Sequence, residues 1–319
     1  MKLYKKLSDT ELYHGNNIDV LKTIESESVD CVVTSPPYWG LRDYGSEGQL
    51  GLEATPEEYV ANMVKVFQEI HRVLKPSGTV WLNLGDSYAG SNSDKYSAPN
   101  KNTLSAKMGQ TYGGIEKSVK AKIPGLKPKD LIGIPWRVAF ALQADGWYLR
   151  SDIIWQKPNP MPESVKDRPT KSHEYIFLLT KSRKYYYDAD AIKEPTVSQD
   201  KYKRDRDNPD YKSNNIPGRT KMSGLKGNEY TRRNKRDVWS INTKPYKEAH
   251  FAVFPEEIPM NCIKAGSPKG GVVLDPFVGS GTTLKVALQL GRKAIGIDIN
   301  TEYLDLCIKR CNEIQNILI

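Results

Sequence analysis

Cysteine is scarce in this chain, and long apolar runs are absent. Four cysteines occur among 319 residues, and their spacing matches neither a disulfide framework nor a zinc site. We therefore expect reduced thiols. No apolar run reaches the length of about 18 residues that spans a bilayer. The segment MKLYKKLSDTELYHG at the N-terminus lacks the apolar core of a signal peptide. These absences predict a cytoplasmic protein that does not enter a membrane.

Acidic residues are fewer than basic ones. The chain has 38 Asp and Glu against 47 Lys and Arg, which gives a net charge of +9. This charge favours polyanionic partners, although many basic proteins bind no nucleic acid. A length of 319 residues accommodates one α/β domain, alone or with a smaller insertion.

Hydrophobic patterns predict two α/β blocks. Short β-rich runs predict strands, and apolar residues at helical spacing predict helices between them. The predicted strands are 11–14, 29–34, 79–84, 151–155, 175–179, 272–274 and 294–297, and the main predicted helices are 57–74, 134–144, 283–290 and 301–317. This alternation predicts a mainly parallel sheet with helices on both faces.

A turn that contains two glycines follows the predicted strand 272–274, in the segment VVLDPFVGSGTT. Gly279 and Gly281 allow the backbone to approach a ligand closely, and the helix that follows offers unpaired N–H groups. About twenty residues further on, Asp298 ends the next strand, where a carboxylate can accept hydrogen bonds from ribose hydroxyls. Neither G-K-[ST] nor a full G-x-G-x-x-G pattern is present, which disfavours a phosphate-binding loop. A structural turn is the alternative, but strand, turn, helix and acid together favour a nucleoside cofactor without phosphates.

A stiff loop follows the predicted strand 29–34. Its residues are Ser35, Pro36, Pro37 and Tyr38, and the prolines fix the backbone while removing two N–H donors. An exocyclic amine is a poor nucleophile because its lone pair is delocalised into the ring. Acceptors at the Ser35 hydroxyl and the Pro36 carbonyl could hold its hydrogens, and Tyr38 could stack on an extruded base. An ordinary proline turn is the alternative.

The segments TSPPYWG (34–40) and DPFVGSGTT (275–283) together resemble the catalytic and cofactor motifs of amino-methylating DNA methyltransferases. With the catalytic loop first and the cofactor turn last, their order resembles the β group of that family. The resemblance covers nearly the whole chain apart from two polar stretches, 89–129 and 193–236. It implies a seven-stranded, mostly parallel, Rossmann-like sheet in circularly permuted order, and S-adenosylmethionine as cofactor.

The resemblance also implies roles for individual residues. Ser35, Pro36, Pro37 and Tyr38 would be the catalytic loop, and no metal is expected. The implied cofactor contacts are Asp275 at the methionine end, Phe277 near the adenine, Gly279, Ser280, Gly281 and Thr282 in the turn, Asp298 at the ribose, and Asn16 at the adenine. The family often has Asp at the position of Asn16.

Further segments of the chain resemble parts of the family. The segment 250–255 (HFAVFP) would cover the cofactor, and 155–160 with 168–174 would form a wall of the target-base pocket. The basic stretch at 193–237 would be the target-recognition insertion, whose Arg and Lys contact phosphates while a few side chains read base edges. A solvated linker is the alternative. The expected domains are 1–192 (catalytic half, with a flexible insertion at about 89–129), 193–237 and 238–319 (cofactor-binding half).

The resemblance thus predicts a site-specific enzyme that methylates the N4 amine of a flipped cytosine in double-stranded DNA. Ser at the first loop position is typical of cytosine-N4 enzymes and Asp of adenine-N6 enzymes, but either group could orient an amine, so adenine-N6 methylation is the alternative. A cytosine-C5 enzyme is disfavoured because no cysteine follows a proline. An RNA or protein-amide methyltransferase and an inactive DNA-binding homologue are weaker alternatives. A cognate restriction endonuclease is a candidate partner. The whole prediction requires the two loops to meet at neighbouring strand ends.

Overall fold

The chain adopts a mixed α/β fold. The computed structural model describes residues 2–41, 46, 48–90, 123–195, 232–243 and 254–315. Two compact units are distinguished: Met1–Asp188 with Asp237–Ile319, and Ala189–Arg236. Most of the 89–129 stretch, the 193–237 insertion and the 250–255 segment lies outside the described residues. The domain boundaries expected from the sequence stay a prediction.

The larger unit alternates strands and helices. Its strands are β1 (Lys2–Leu7), β2 (Thr10–His14), β3 (Val29–Thr34), β4 (Leu74–Leu84), β5 (Tyr148–Gln156), β6 (His173–Thr180), β9 (Val238–Ser240), β10 (Val272–Asp275) and β11 (Lys293–Asp298). Its helices are α1 (Asn17–Leu21), α2 (Pro56–Val73), α3 (Ile134–Ala144), α4 (Glu257–Gly266), α5 (Thr282–Gln289) and α6 (Thr301–Gln315). The predicted strands and helices of the two blocks are therefore confirmed, with small changes at their ends.

The strands form one sheet in the order β1-β2-β11-β10-β3-β4-β6-β5-β9. The five strands from β2 to β4 in that order run parallel, whereas β6 is antiparallel to both β4 and β5. The prediction of a large, mostly parallel sheet is confirmed. The predicted count of seven strands was too low, since nine are present among the described residues. The two additional strands, β1 and β9, lie at the sheet edges, where few buried side chains leave little hydrophobic pattern.

Helices pack on both faces of the central strands. Because side chains alternate along a strand, Val32 belongs to the hydrophobic core that includes α2, while its neighbour Cys31 faces Gly266 at the end of α4. A Cβ at Gly266 would lie 2.3 Å from Thr79 Oγ1 and 2.5 Å from Trp81 Nε1, so this close approach of helix to sheet requires glycine. No helix within the described ranges is both long enough and apolar enough to cross a membrane.

The smaller unit is described at its two ends. There β7 (Glu194–Pro195) pairs antiparallel with β8 (Arg232–Arg233), after a 3-10 turn at Asp190–Ile192. The Glu194 carboxylate accepts a hydrogen bond from Arg233 Nε at 2.8 Å, which ties the two short strands together. The ends of the basic insertion thus meet within this unit.

Candidate active site

The proline loop and the glycine turn lie at neighbouring strand ends. β3 pairs in parallel with β10, with Cys31 opposite Val273. Both strands therefore end at the same edge of the sheet, and the hydroxyl of Thr34 donates to Asp275 Oδ1 at 2.7 Å. The requirement that the two loops meet is confirmed.

The site coincides with the point where the sheet order reverses. From β10 the chain continues to β11 on one side, and from β3 it continues to β4 on the other. Connections that leave in opposite directions open a crevice beyond the carboxyl ends of the two strands, which is where parallel α/β sheets bind ligands. The sequence motifs occupy both sides of this crevice.

Asp275 lies beneath the crevice and links the two loops. Besides Thr34, it accepts hydrogen bonds from Thr283 Oγ1 at 2.7 Å and from the Phe277 backbone N–H at 3.1 Å. Its side chain is buried, and burial raises its pKa to about 6, although these hydrogen bonds favour the ionised form. Asp275 therefore holds a carboxylate against the cofactor turn while it connects the β3 and β10 ends.

The two glycines of the turn serve different purposes. Both have left-handed backbones, with φ of 49° at Gly279 and 81° at Gly281. A Cβ at Gly281 would lie 2.8 Å from Cys307 Sγ, so Gly281 permits α6 to pack against the turn. A Cβ at Gly279 would meet no atom of the described residues closer than 4.0 Å. Among those residues the Gly279 backbone thus borders open space, as a surface that receives a ligand requires.

Arg310, which no sequence pattern singles out, supports the glycine turn through hydrogen bonds. Arg310 of α6 is buried, and its Nη1 donates to the Ser280 carbonyl, the Ser280 hydroxyl and the Thr282 hydroxyl, each at 3.0 Å. Ser280 and Thr282 therefore direct their hydroxyls toward Arg310. Each hydroxyl accepts from Arg310 and keeps its own hydrogen for donation.

Asp298 lies at the carboxyl end of β11, beside the turn. Its Oδ2 accepts the Gly279 N–H at 2.9 Å and its Oδ1 accepts the Asn300 N–H at 2.8 Å. Burial raises the pKa of this carboxyl group, while the backbone hydrogen bonds oppose the increase. A carboxylate has about four lone-pair sites, so Asp298 retains acceptor capacity for a ligand besides its bonds to the backbone N–H groups of Gly279, Ile299 and Asn300.

Asn16 is exposed. It lies near Asp298, because the N–H of the adjacent Gly15 donates to the Asp298 carbonyl at 3.1 Å. The Asn16 side chain caps α1, where its oxygen accepts the Ile18 N–H at 3.0 Å. Phe277 is half-buried and packs against the hydrophobic core. Both residues predicted to contact adenine thus lie at the carboxyl edge of the sheet, and no partner for the Asn16 amide nitrogen is found among the described residues.

The proline loop, Ser35 to Tyr38, is held by contacts with α2 and with Gly51. The Tyr59 hydroxyl of α2 donates to the Pro37 carbonyl at 2.9 Å, and a Cβ at Gly51 would lie 3.1 Å from the Tyr38 carbonyl. Pro36 is buried, and no donor to its carbonyl is found in the described part of the chain. The Pro36 carbonyl therefore has acceptor capacity available at the end of a fixed loop.

Tyr38 enters a polar network on the β4 and β6 side of the site. Its hydroxyl lies 2.7 Å from Glu174 Oε2, 3.1 Å from Asn83 Oδ1 and 3.4 Å from Ser35 Oγ. Its ring packs over Gly85, where a Cβ would lie 2.5 Å from Tyr38 Cε2. The network holds the Tyr38 ring in one orientation beside Ser35.

Side chains of the predicted base wall have different surroundings from one another. Trp155 is buried, and its indole N–H donates to the Ile241 carbonyl at 2.9 Å. Arg168 packs over the Tyr88 ring, 4.0 Å from its centroid. Of the two wall segments, Lys157 and Glu174 pair with each other, and Glu174 also accepts a hydrogen bond from the Tyr38 hydroxyl. No group of three metal-binding side chains is found within the described ranges.

A model of the N6 and N4 methyltransferases, described as DNA methylase, matches residues 29–309. The match covers most of the chain, and the chain belongs to this DNA methylase family. It is 47% identical over 306 residues to the type II methyltransferase M.Cfr9I of Citrobacter freundii, which covers 96% of this chain and 88% of that protein.

Two solved structures share the fold. The PvuII DNA methyltransferase (cytosine-N4-specific) matches with a TM-score of 0.64 and 18% identity, over 99% of this chain and 95% of that one. M1.HpyAVI, in a complex with S-adenosylmethionine (SAM), matches with a TM-score of 0.53 and 15% identity, over 95% of this chain and 98% of that one.

Proposed function

We propose that this DNA methylase transfers a methyl group from SAM to the N4 amine of a cytosine turned out of duplex DNA. The observation that carries the proposal is the hydrogen bond between Thr34 and Asp275. It joins the strand end before the Ser35 loop to the strand end before the glycine turn. An amine held on one side would thus lie next to a cofactor held on the other.

The cofactor of this family, SAM, fits the glycine-turn side of the crevice. When bound, it supplies a methyl group on a positively charged sulfonium. Asp298 would accept the ribose hydroxyls, and the open backbone face of Gly279 would border the cofactor. The buried charge of Asp275 would attract the positively charged methionine end. Phe277 and the Asn16 amide nitrogen would contact the adenine.

The catalytic loop would hold the target amine. The Ser35 hydroxyl and the Pro36 carbonyl would each accept one amine hydrogen, which turns the nitrogen lone pair toward the methyl group. Positioning of this kind lowers the barrier because the reacting atoms are aligned before transfer. Methyl transfer is direct, so neither a metal nor a covalent enzyme intermediate is needed.

Cytosine is favoured over adenine as the target base. Ser35 is typical of cytosine-N4 enzymes, and the structurally similar PvuII enzyme is named as cytosine-N4-specific. Adenine-N6 methylation by the same fold is the second candidate, because a hydroxyl could orient either amine. Nucleoside analysis of the methylated DNA distinguishes the two.

The basic insertion at 193–237 would read the DNA sequence. The stretch 193–236 holds about twice as many basic as acidic side chains, a charge that suits phosphate contacts on either side of base-reading side chains. It would divide a circularly permuted domain, with the catalytic half at 1–192 and the cofactor half at 238–319. The relative M.Cfr9I is a type II methyltransferase, and a cognate restriction endonuclease would be the partner of this chain.

The test uses tritiated SAM and unmethylated duplex DNA of mixed sequence. We expect the wild type to label DNA. We expect Ser35→Ala to lose roughly a hundredfold in transfer rate, as when one preorganised hydrogen-bonding group is removed, while cofactor and DNA affinities are retained. Asp298→Ala should lose cofactor affinity instead. Absence of label with the wild type, or normal transfer by Ser35→Ala, would overturn the proposal.

A further inference from the structure

Glu174 is a largely buried carboxylate that contacts the Ser35 loop, and the role proposed for Ser35 alone gives no reason for a carboxylate there. It lies at the start of β6, and its side chain is 14% exposed. Its Oε2 accepts hydrogen bonds from the Tyr38 hydroxyl at 2.7 Å and from Asn83 Nδ2 at 3.2 Å. Its Oε1 forms an ion pair with Lys157 Nζ. A carboxylate with a positive partner thus lies directly behind the tyrosine of the catalytic loop.

Three strands bring these groups together. Asn83 lies near the end of β4, Glu174 at the start of β6, and Lys157 directly after β5. Trp155 pairs with Glu174 across β5 and β6, and the Lys157 ammonium lies 4.4 Å from the centre of the Trp155 ring. Asn83 is fixed in turn by a hydrogen bond from its Nδ2 to the Tyr175 carbonyl at 3.0 Å. The network is built on the sheet and not on a loop.

The direction of the hydrogen bonds follows from the donors available. A phenol has one hydrogen, and an ionised carboxylate accepts but does not donate. Tyr38 therefore donates its hydrogen to Glu174 Oε2 at 2.7 Å, which is nearer than Asn83 Oδ1 at 3.1 Å and carries the charge. The Tyr38 oxygen is then an acceptor, and the Ser35 hydroxyl 3.4 Å away is positioned to donate to it.

We propose that Glu174 is a positioning residue for methyl transfer, acting through Tyr38 to fix the direction of the Ser35 hydroxyl hydrogen. With that hydrogen turned toward Tyr38, the lone pairs of Ser35 Oγ are left to accept the amine of the target base. Lys157 balances the charge of Glu174, so the carboxylate remains an acceptor in a partly buried place. This inference rests on the proposed role of Ser35.

The variant that tests it is Glu174→Gln, which keeps the side-chain shape. The Gln amide can donate a hydrogen bond to the Tyr38 oxygen, and the Ser35 hydrogen is then no longer directed there. We expect the single-turnover transfer rate to fall about tenfold or more, with SAM and DNA dissociation constants within about twofold of the wild type. Glu69→Gln is the matched control, because Glu69 is a partly buried carboxylate paired with Arg72 on α2 and should leave the rate unchanged.

A double-mutant cycle with Tyr38→Phe separates positioning from a general structural effect. Because the phenylalanine has no hydroxyl to orient, Glu174→Gln should then change the transfer rate by less than about twofold. An equal loss in both backgrounds, or no loss in Glu174→Gln alone, overturns the proposal. If Glu174→Gln does not fold, Glu174→Asp, whose shorter carboxylate withdraws from Tyr38, enters the same cycle with the same expectation.

The outcomes also separate this inference from the proposed function. A wild type that labels no DNA refutes the proposed function. The role of Glu174 alone is refuted if the wild type labels DNA, Ser35→Ala does not, and Glu174→Gln loses the same factor in transfer rate with and without Tyr38→Phe.

Discussion

Replacement of Gly279 by alanine tests whether the glycine turn receives the cofactor. The added methyl group would lie at least 4.0 Å from every other atom in the part of the chain that the structure describes. The matched variant is Gly281→Ala, two residues along the same turn. There the methyl group would lie 2.8 Å from Cys307 Sγ and 3.1 Å from Cys307 Cα. The two substitutions therefore add the same group to opposite sides of one turn.

The expected magnitudes differ because the surroundings differ. A left-handed backbone costs about 1–2 kcal/mol for an alanine at either position. Overpacking against α6 adds about 1–3 kcal/mol at Gly281, so that variant should lose roughly 2–5 kcal/mol in free energy of unfolding. Gly279→Ala should lose only the first amount. Its SAM affinity should fall about tenfold or more, since a methyl group in the binding surface costs about 1.4 kcal/mol or more.

Urea unfolding without cofactor measures the free energies of unfolding of the two variants, and isothermal titration measures their SAM affinities. We expect a stable Gly279→Ala protein that binds SAM weakly, and a less stable Gly281→Ala protein. A Gly279→Ala variant with wild-type SAM affinity would refute the placement of the cofactor at this turn. Equal stability of the two variants would refute the distinct roles of the glycines.

Two further predictions concern the groups beneath and behind the turn. Since burial raises the pKa of Asp275 from 3.8 to about 6, the folded state binds its proton more tightly than the unfolded state. The free energy of unfolding relative to that of Asp275→Asn should therefore fall by about 3 kcal/mol as the pH rises from about 3 to about 7, and stay level above. A pH-independent difference in urea unfolding would contradict this. Arg310→Met should lower the free energy of unfolding by about 2–4 kcal/mol, because the acceptors at Ser280 and Thr282 lose their donor; a loss below about 1 kcal/mol would contradict the support assigned to Arg310.

The central strands and the meeting of the two motifs could be predicted from the sequence. The run 29–34 is buried at every residue, and such continuous apolar runs are typical of parallel strands covered on both faces. The prolines after strand 29–34 and the glycines after strand 272–274 then predicted that both loops lie at strand ends. Adjacency followed because parallel strands end at the same edge of a sheet.

The edges of the sheet could not be predicted in the same way. β1 has no buried residue, and β9 is three residues long, so neither shows a clear period-two pattern. Helix α4 was missed because Pro259 interrupts its pattern. The proline lies in the first turn of the helix, where its missing N–H has no partner within the helix.

The supporting residues of the site needed three-dimensional information. Arg310 lies on an amphipathic helix, and its spacing does not reveal that this cation faces the turn and not solvent. Glu174 lies in a segment assigned to the base wall by resemblance. Its contact with Tyr38 depends on the pairing of β4, β6 and β5, which the order of strands along the chain does not disclose.

Mass spectrometry of nucleosides from DNA methylated by the wild-type protein is the most direct test of the central claim. Ser35 and the Pro36 carbonyl, next to the cofactor turn, are proposed to present a cytosine amine to the methyl group. The expected product is therefore N4-methylcytosine. N6-methyladenine would contradict the choice of base, and the absence of any methylated base would contradict amine methylation by this site.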